Sequence, residues 1–334
     1  MVQRKKGWII PLVLICFFGA LLPVLSHAAE YKVLVVMSYE EDFPWCKEIK
    51  EGIDSVLGDS CEIRYFYMNT KTDPADGPKK AEEAWALYQE FQPDGVITAD
   101  DNAQSMFAVP YLKGRVKTPV MFCAVNAEPE KYGYPAANVS GILERYHIDQ
   151  SIAFAKQIIP SISTVGYIAK SSPTGEAIAA QVKKESGKYI AKSLDVALPA
   201  TMKEAIEITE KLKDKCDLLL LTALRGIPDE GGRPMAQEEI IPVLVKTFGK
   251  ATISTSPHLL EYGVLCAVVQ KGQEHGGTAA KMLQKAMNGT PLSEIPITQN
   301  RLGKRIINVT VMKELGIPPK SDVLSGAELV KTKK

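Results

Sequence analysis

Any chemistry in this chain would start at Asp100, Asp101 and Asn102, two carboxylates and an amide in consecutive positions. Carboxylates so placed can hold a ligand ammonium group, or they can cap the start of a helix; the sequence admits both roles. The residues before them fix the context. Pro93-Asp94-Gly95 breaks the chain, and Gly95–Ala99 is a short apolar run of the kind that forms a buried parallel strand. Helical character follows to about residue 109. A strand that turns through polar residues into a helix places side chains and free N–H groups at the carboxyl edge of its sheet. Open α/β sheets bind their ligands at that edge, where the strand order switches.

Catalytic patterns are missing. Besides His27, the histidines are His147, His258 and His275. His258 follows a strand end, but no Gly-x-Ser-x-Gly elbow or paired cysteine accompanies it. Neither a GxGxxG nor a GxxxxGK[ST] loop occurs, and Gly231-Gly232 lies in a polar insert. No enzyme activity and no cofactor are expected. Cys46, Cys61, Cys123, Cys216 and Cys266 are scattered, without a CxxC or Cys/His cluster, so no metal site is expected either. Cys123 and Cys266 sit in apolar runs and read as core thiols. Disulfide pairing stays open.

The elements that position these residues alternate. The spacing predicts strands at Tyr31–Met37, Cys61–Tyr67, Gly95–Ala99, Pro119–Val125 and Asn138–Leu143, with helices at Pro44–Leu57 and Lys79–Phe91 between them. The pattern then restarts. Strands are predicted at Thr164–Ala169, Tyr189–Val196, Asp217–Thr222, Ala251–Ser254 and Val264–Val269, with helices at Asp149–Ile159, Glu176–Ser186, Thr201–Lys213 and Met235–Phe248. A long amphipathic helix, Lys271–Met287, a further strand, Arg305–Val309, and a short helical tail complete the chain. The fold class is α/β, with two doubly wound parallel-sheet lobes joined by a hinge.

Composition agrees with an ordinary globular chain of 334 residues, 46% apolar and 24% charged. The first residues differ. Arg4, Lys5 and Lys6 precede an apolar run from Trp8 to Leu25 that closes in Ser26-His27-Ala28-Ala29. This predicts a signal peptide, residues 1–28, cut after Ala28 or Ala29, although the run is near the length of a membrane anchor. Its removal takes three positive charges and turns a net +1 into −2. No basic patch points to nucleic acid. Cys16 lacks the residues that precede a lipid-modified cysteine.

With these motifs in place, the chain resembles the ABC-transporter substrate-binding proteins of the periplasmic binding protein type I fold. More narrowly, it is similar to the branch with tryptophan- and tyrosine-binding lipoproteins. The resemblance covers about residues 30–330. It rests on Val33–Ser38 ahead of a helix containing Gly52-Ile53, on Pro93–Ala99, on Thr118–Val125, and on Asn138-Val139-Ser140-Gly141. Its most specific piece is the ending, Ile307-Asn308-Val309 through Glu314-Leu315-Gly316-Ile317-Pro318-Pro319. Two features depart from the family: Asn126-Ala127-Glu128-Pro129 is longer than the usual turn, and the lipobox is missing. Ser38-Tyr39 with Phe43-Pro44-Trp45 is similar to a subgroup of bacterial sensor domains.

The resemblance implies ligand contacts on the loops after the strands. These are Ser38 and Tyr39; Asp100, Asp101 and Asn102; Asn126; Ser171, Ser172 and Thr174; Thr222; and Ser254, Thr255 and Ser256. Hydroxyls and helix-start N–H groups suit a carboxylate, and Asp100 or Asp101 suits an ammonium, so the set could grip an amino acid. Each residue is also an ordinary cap or turn residue. Tyr39, Phe43 and Trp45 form either an aromatic wall or a clamp over the first helix. The implied lobes are residues 29–143 with 272–300, and 144–271 with 301–334. The implied function is periplasmic solute binding, with a small-molecule ligand and an ABC permease of the inner membrane as partners. A ligand-sensing module for a sensor kinase is the alternative.

Overall fold

The computed structural model describes residues 31–333 together with Val2. The expected signal peptide, with its Arg4–Lys6 cluster, lies outside the described residues.

Lobe 1 is built from β1 (Tyr31–Met37), α1 (Pro44–Leu57), β2 (Cys61–Tyr67), α2 (Gly77–Phe91), β3 (Gly95–Ala99), α3 (Asp100–Ala103), β4 (Val120–Val125) and β5 (Val139–Leu143). A π-helix, Gln104–Leu112, continues α3 and carries Pro110 inside it. Pro110 has no N–H to give to the helical ladder, and prolines inside helices go with local departures from regular geometry. Lobe 2 follows with α4 (Ile148–Ile158), β6 (Thr164–Ala169), α5 (Pro173–Glu185), β7 (Lys192–Ala197), α6 (Met202–Lys213), β8 (Leu218–Thr222), α7 (Gln237–Phe248), β9 (Thr252–Ser254) and β10 (Cys266–Gln270). The chain ends with α8 (Gly272–Met287), β11 (Thr298–Gln299), β12 (Gly303–Asn308), α9 (Val309–Glu314), α10 (Ser321–Leu324) and β13 (Ala327–Val330). The expected helical tail therefore gives way to a strand, which pairs parallel to β12.

Two sheets result, in the orders β11-β5-β4-β3-β1-β2 and β13-β12-β10-β9-β8-β6-β7. All ladders are parallel except β10 with β12. Each sheet is covered on both faces, which is why its strands read as unbroken apolar runs. On lobe 1, α1 and α8 close one face over Val33, Val35 and Ile97, and α2 with the π-helix closes the other over Leu34, Val36 and Val96. On lobe 2, α4 and α5 cover one face, and α6 and α7 the other.

The chain passes between the sheets three times: from β5 to α4, from β10 to α8, and from β11 to β12. Asn300 ties two of these crossings together. Its side chain accepts from Arg145 N at 2.7 Å, donates to Arg145 O at 3.0 Å, and stands 3.0 Å from His147 Nε2. Glu274 at the start of α8 accepts from Arg301 N and Leu302 N. The α1–α8 contact is backbone to backbone. A Cβ on Gly276 would lie 2.0 Å from Ile49 O, and one on Gly52 would lie 2.3 Å from Gln273 O. Only glycine permits that approach.

Candidate functional site

Strand order reverses between β1 and β3 in lobe 1, and between β6 and β8 in lobe 2. The carboxyl ends flanking these points carry Ser38-Tyr39 with Asp100–Asn102, and Ser171-Ser172 with Thr222. Two of these ends hold non-glycine residues in left-handed backbone, Asp100 at φ +66° and Ala223 at φ +51°; Ala124 in β4 is a third, at +57°. Such positions cost about 1–3 kcal/mol each and gather at ligand sites.

The lobe 1 residues divide by role. Ser38 is wholly buried. Its Oγ donates to Ala99 O at 2.6 Å and accepts from Ala103 N at 2.8 Å, so it caps α3 from a neighbouring strand. Neither aspartate does so, since the N-cap position is Ala99 and no side chain of its own segment caps α3. Asp101 clamps the loop after β4, accepting from Asn126 N at 3.0 Å, Ala127 N at 3.2 Å and the Tyr132 hydroxyl at 2.7 Å. Asn102 spends its amide on Thr70 Oγ1 at 2.8 Å. Ser38, Asp101 and Asn102 thus spend polar atoms on holding the strand-end loops together.

Asp100 is different. It is 3% exposed, one oxygen accepts from Trp45 Nε1 at 3.2 Å, and Oδ2 is buried without a partner. Burial pushes its carboxyl well above the usual carboxylate range, and the charge of Glu144 adds to the rise. Glu144, just past β5, is partly exposed and its carboxyl is raised to about 7, chiefly by desolvation, with the Asn126 hydrogen bond opposing. Tyr39 completes the group: its hydroxyl is pushed up by burial and by Asp100, Asp101 and Glu144. Its ring meets Phe43 edge-on at 5.6 Å, and Lys71 Nζ lies 4.0 Å from the Tyr39 centroid. Trp45 joins neither ring; it packs against His275 of α8 at 5.4 Å. All three rings pack against the core under α1 and α8.

Lobe 2 contributes neutral hydroxyls. Thr222 and Thr255 are buried, with their Oγ1 atoms 2.7 Å apart. Ser172 caps α5 through Gly175 N, Ser254 is buried and accepts from Ser256 N, while Ser171 and Thr174 are exposed. Lys170 donates to Gly226 O at 2.8 Å. Across the line between lobes, Lys184 of α5 reaches Glu128 at 3.9 Å. A depression of about 770 Å³, lined by Glu40, Glu41, Lys47, Thr72 and the β2 end at Tyr67, includes none of Ser38, Tyr39 or Asp100–Asn102. Sequence reading missed Glu144 and Arg145. Both lie just past the end of β5, a position that by itself does not tell a desolvated glutamate from a solvated one.

Linked parallel sheets with polar residues gathered at both switch points define a two-lobed α/β protein of the periplasmic binding protein type I fold. The sequence profile of ABC transporter substrate binding proteins matches residues 103–331, and the chain belongs to that family. Its fold and family are those of solute-binding proteins, not enzymes. Among solved structures, it is similar to the ligand-free, open substrate-binding protein with adhesive properties from Clostridium difficile, at 19% identity and a TM-score of 0.69, covering 91% of this chain and 100% of that one. It is also similar to an ABC domain from Streptococcus pneumonia in complex with L-Trp, at 19% identity and 0.54, covering 90% and 99%. A conserved domain protein from Vibrio cholerae matches at 17% and 0.53, covering 90% and 100%. At these identities the likeness is one of fold. No curated protein matches the chain.

Proposed function

We propose that the protein is an extracytoplasmic receptor that closes its lobes around a small solute bearing an ammonium group and delivers it to an ABC permease of the inner membrane. The observation that carries this reading is the Asp100 carboxylate: buried, left-handed at the end of β3, with an oxygen that no protein group satisfies. A buried charge without a partner is costly, and a ligand cation is the partner it lacks. Lobe 2, residues 144–271 with 301–334, supplies hydroxyls at Ser171, Thr174 and Ser256 for the solute's polar end, while lobe 1 is residues 29–143 with 272–300. The three interlobe crossings support a hinge of the kind that closes around ligands. Periplasmic placement is supported by the family and by the Arg4–Ala29 pattern. Among the described residues no helix is long and apolar enough to cross a membrane.

A thermal-shift screen of the mature protein against amino acids and amines, followed by calorimetry on Asp100→Asn, tests the reading. Losing the charge is expected to cost about 2–5 kcal/mol of binding, at least tenfold in affinity. Unaltered affinity in a folded Asp100→Asn protein would remove Asp100 from the site.

A further inference from the structure

We propose that the solute carries more positive than negative charge, so that the interlobe site takes a basic amino acid or a diamine, with Glu144 as a second carboxylate beside Asp100. This rests on the interlobe reading above and narrows it. The inference follows from where each charged group at the lobe 1 edge finds its partner. Asp101 is satisfied by two backbone N–H groups and the Tyr132 hydroxyl. Arg145 gives Nη1 to the carbonyls of Asn126 and Glu144 and Nη2 to the carboxylate of Glu128 at 3.0 Å. Lys71 lies over the rings of Tyr39 and Phe43, 4.0 and 4.9 Å from their centroids.

Two carboxylates lack a contact partner: the charge of Lys71 reaches both Asp100 and Glu144, and that of Arg145 reaches Glu144, only from beyond ion-pair distance. Among the described residues, no lysine, arginine or histidine stands at ion-pair distance from Asp100 or Glu144. Glu144 has a single long hydrogen bond, from Asn126 Nδ2 at 3.4 Å, and Asp100 Oδ2 has none. A neutral zwitterion brings one positive group to this pair. A dication, or an amino acid with a basic side chain, brings the charge that matches both. Glu144, the more exposed of the two, is the one a solute meets first, and Asp100 lies deeper against Trp45.

Burial and their mutual repulsion raise both carboxyls above the ordinary range, so a bound cation favours their ionised forms and should release protons. The test is calorimetry at pH 7 on the mature protein with L-lysine, L-arginine and putrescine, against L-leucine and D-ribose, in two buffers of different ionisation enthalpy. At least one cationic probe is expected to bind at least tenfold tighter than L-leucine, with protons released. Glu144→Gln is expected to lower that affinity at least tenfold and to reduce the release. Binding of L-lysine but not putrescine would show that the solute also needs a carboxylate; the reverse would show that it does not. Either result sustains the inference. Failure of all three cations to bind overturns it. If L-leucine then binds and Asp100→Asn abolishes that binding, the interlobe receptor stands and only the charge assignment falls.

Discussion

Replacing Glu144 by Gln should flatten part of the pH dependence of folding stability. The amide keeps the shape and can still accept from Asn126, but it cannot ionise. In the folded protein the Glu144 carboxyl is raised to about 7 from an ordinary 4.5. An acid raised in this way holds its proton more tightly folded than unfolded. Its contribution is therefore complete below about pH 4.5 and is lost as pH climbs through 7. At about 1.4 kcal/mol per pH unit the ceiling is about 3.5 kcal/mol. Glu144 is partly exposed, and solvent screening brings the expected loss to about 1–2 kcal/mol. Urea unfolding at pH 5, 6, 7 and 8 would measure it. His147 and His275, whose protonation is suppressed by burial, act with the opposite sign, yet they are common to both proteins and cancel in the difference. The wild-type protein should lose stability relative to Glu144→Gln between pH 5 and 8. Parallel curves for the two proteins would refute the reasoning, because they would mean that the Glu144 carboxyl is as well solvated folded as unfolded.

Two further substitutions separate wall from site. Asp101→Asn removes a charged acceptor of three hydrogen bonds and should cost about 2–3 kcal/mol in urea unfolding, with faster amide exchange over residues 126–132; unaltered exchange would argue against the clamp. Gly276→Ala places a Cβ 2.0 Å from Ile49 O, so the helices must separate at a cost of about 1–3 kcal/mol. Tryptophan emission should shift with it, since Trp45 packs on the same α8 turn; an unperturbed spectrum and melt would mean that the two helices tolerate the added methyl.

Much of the fold was legible because both sheets are buried on two faces. Val33 to Met37 and Leu218 to Leu221 are wholly buried, and such strands must be continuous apolar runs. What escaped were strands made by partners distant in sequence. Ala327–Val330 is four residues without periodicity, a strand only because β12 lies beside it. Thr298–Gln299 exists as a strand only against β5. The site followed the same division. Asp100 could be found by its place after β3, because position at a strand end is a local property. The roles of Ser38 and Asp101 could not, since Ala103 and Tyr132 reach them from 65 and 31 residues away. Glu144 was missed for a third reason. A glutamate leaving a sheet looks like solvated surface, and only the desolvation of the folded interlobe edge sets it apart.

The hinge and the candidate site share a wall. Gly272 at the start of α8 donates to Glu48 of α1 at 2.9 Å, and Glu274 accepts two backbone N–H groups from the third crossing. One residue further along α8, His275 meets the edge of Trp45, the residue that donates to Asp100. His275 is wholly buried with both ring nitrogens unpartnered, and burial holds it neutral, down to about 3. The contact between α8 and Trp45 is therefore apolar packing, with no charge of its own to offset that of Asp100. A cation at Asp100 and Glu144 would stabilise their ionised forms while leaving this packed wall intact. In that arrangement the ligand supplies the missing charge and the glycine-packed helices supply rigidity. The change on binding then falls on the three crossings, the segments that pass from one sheet to the other.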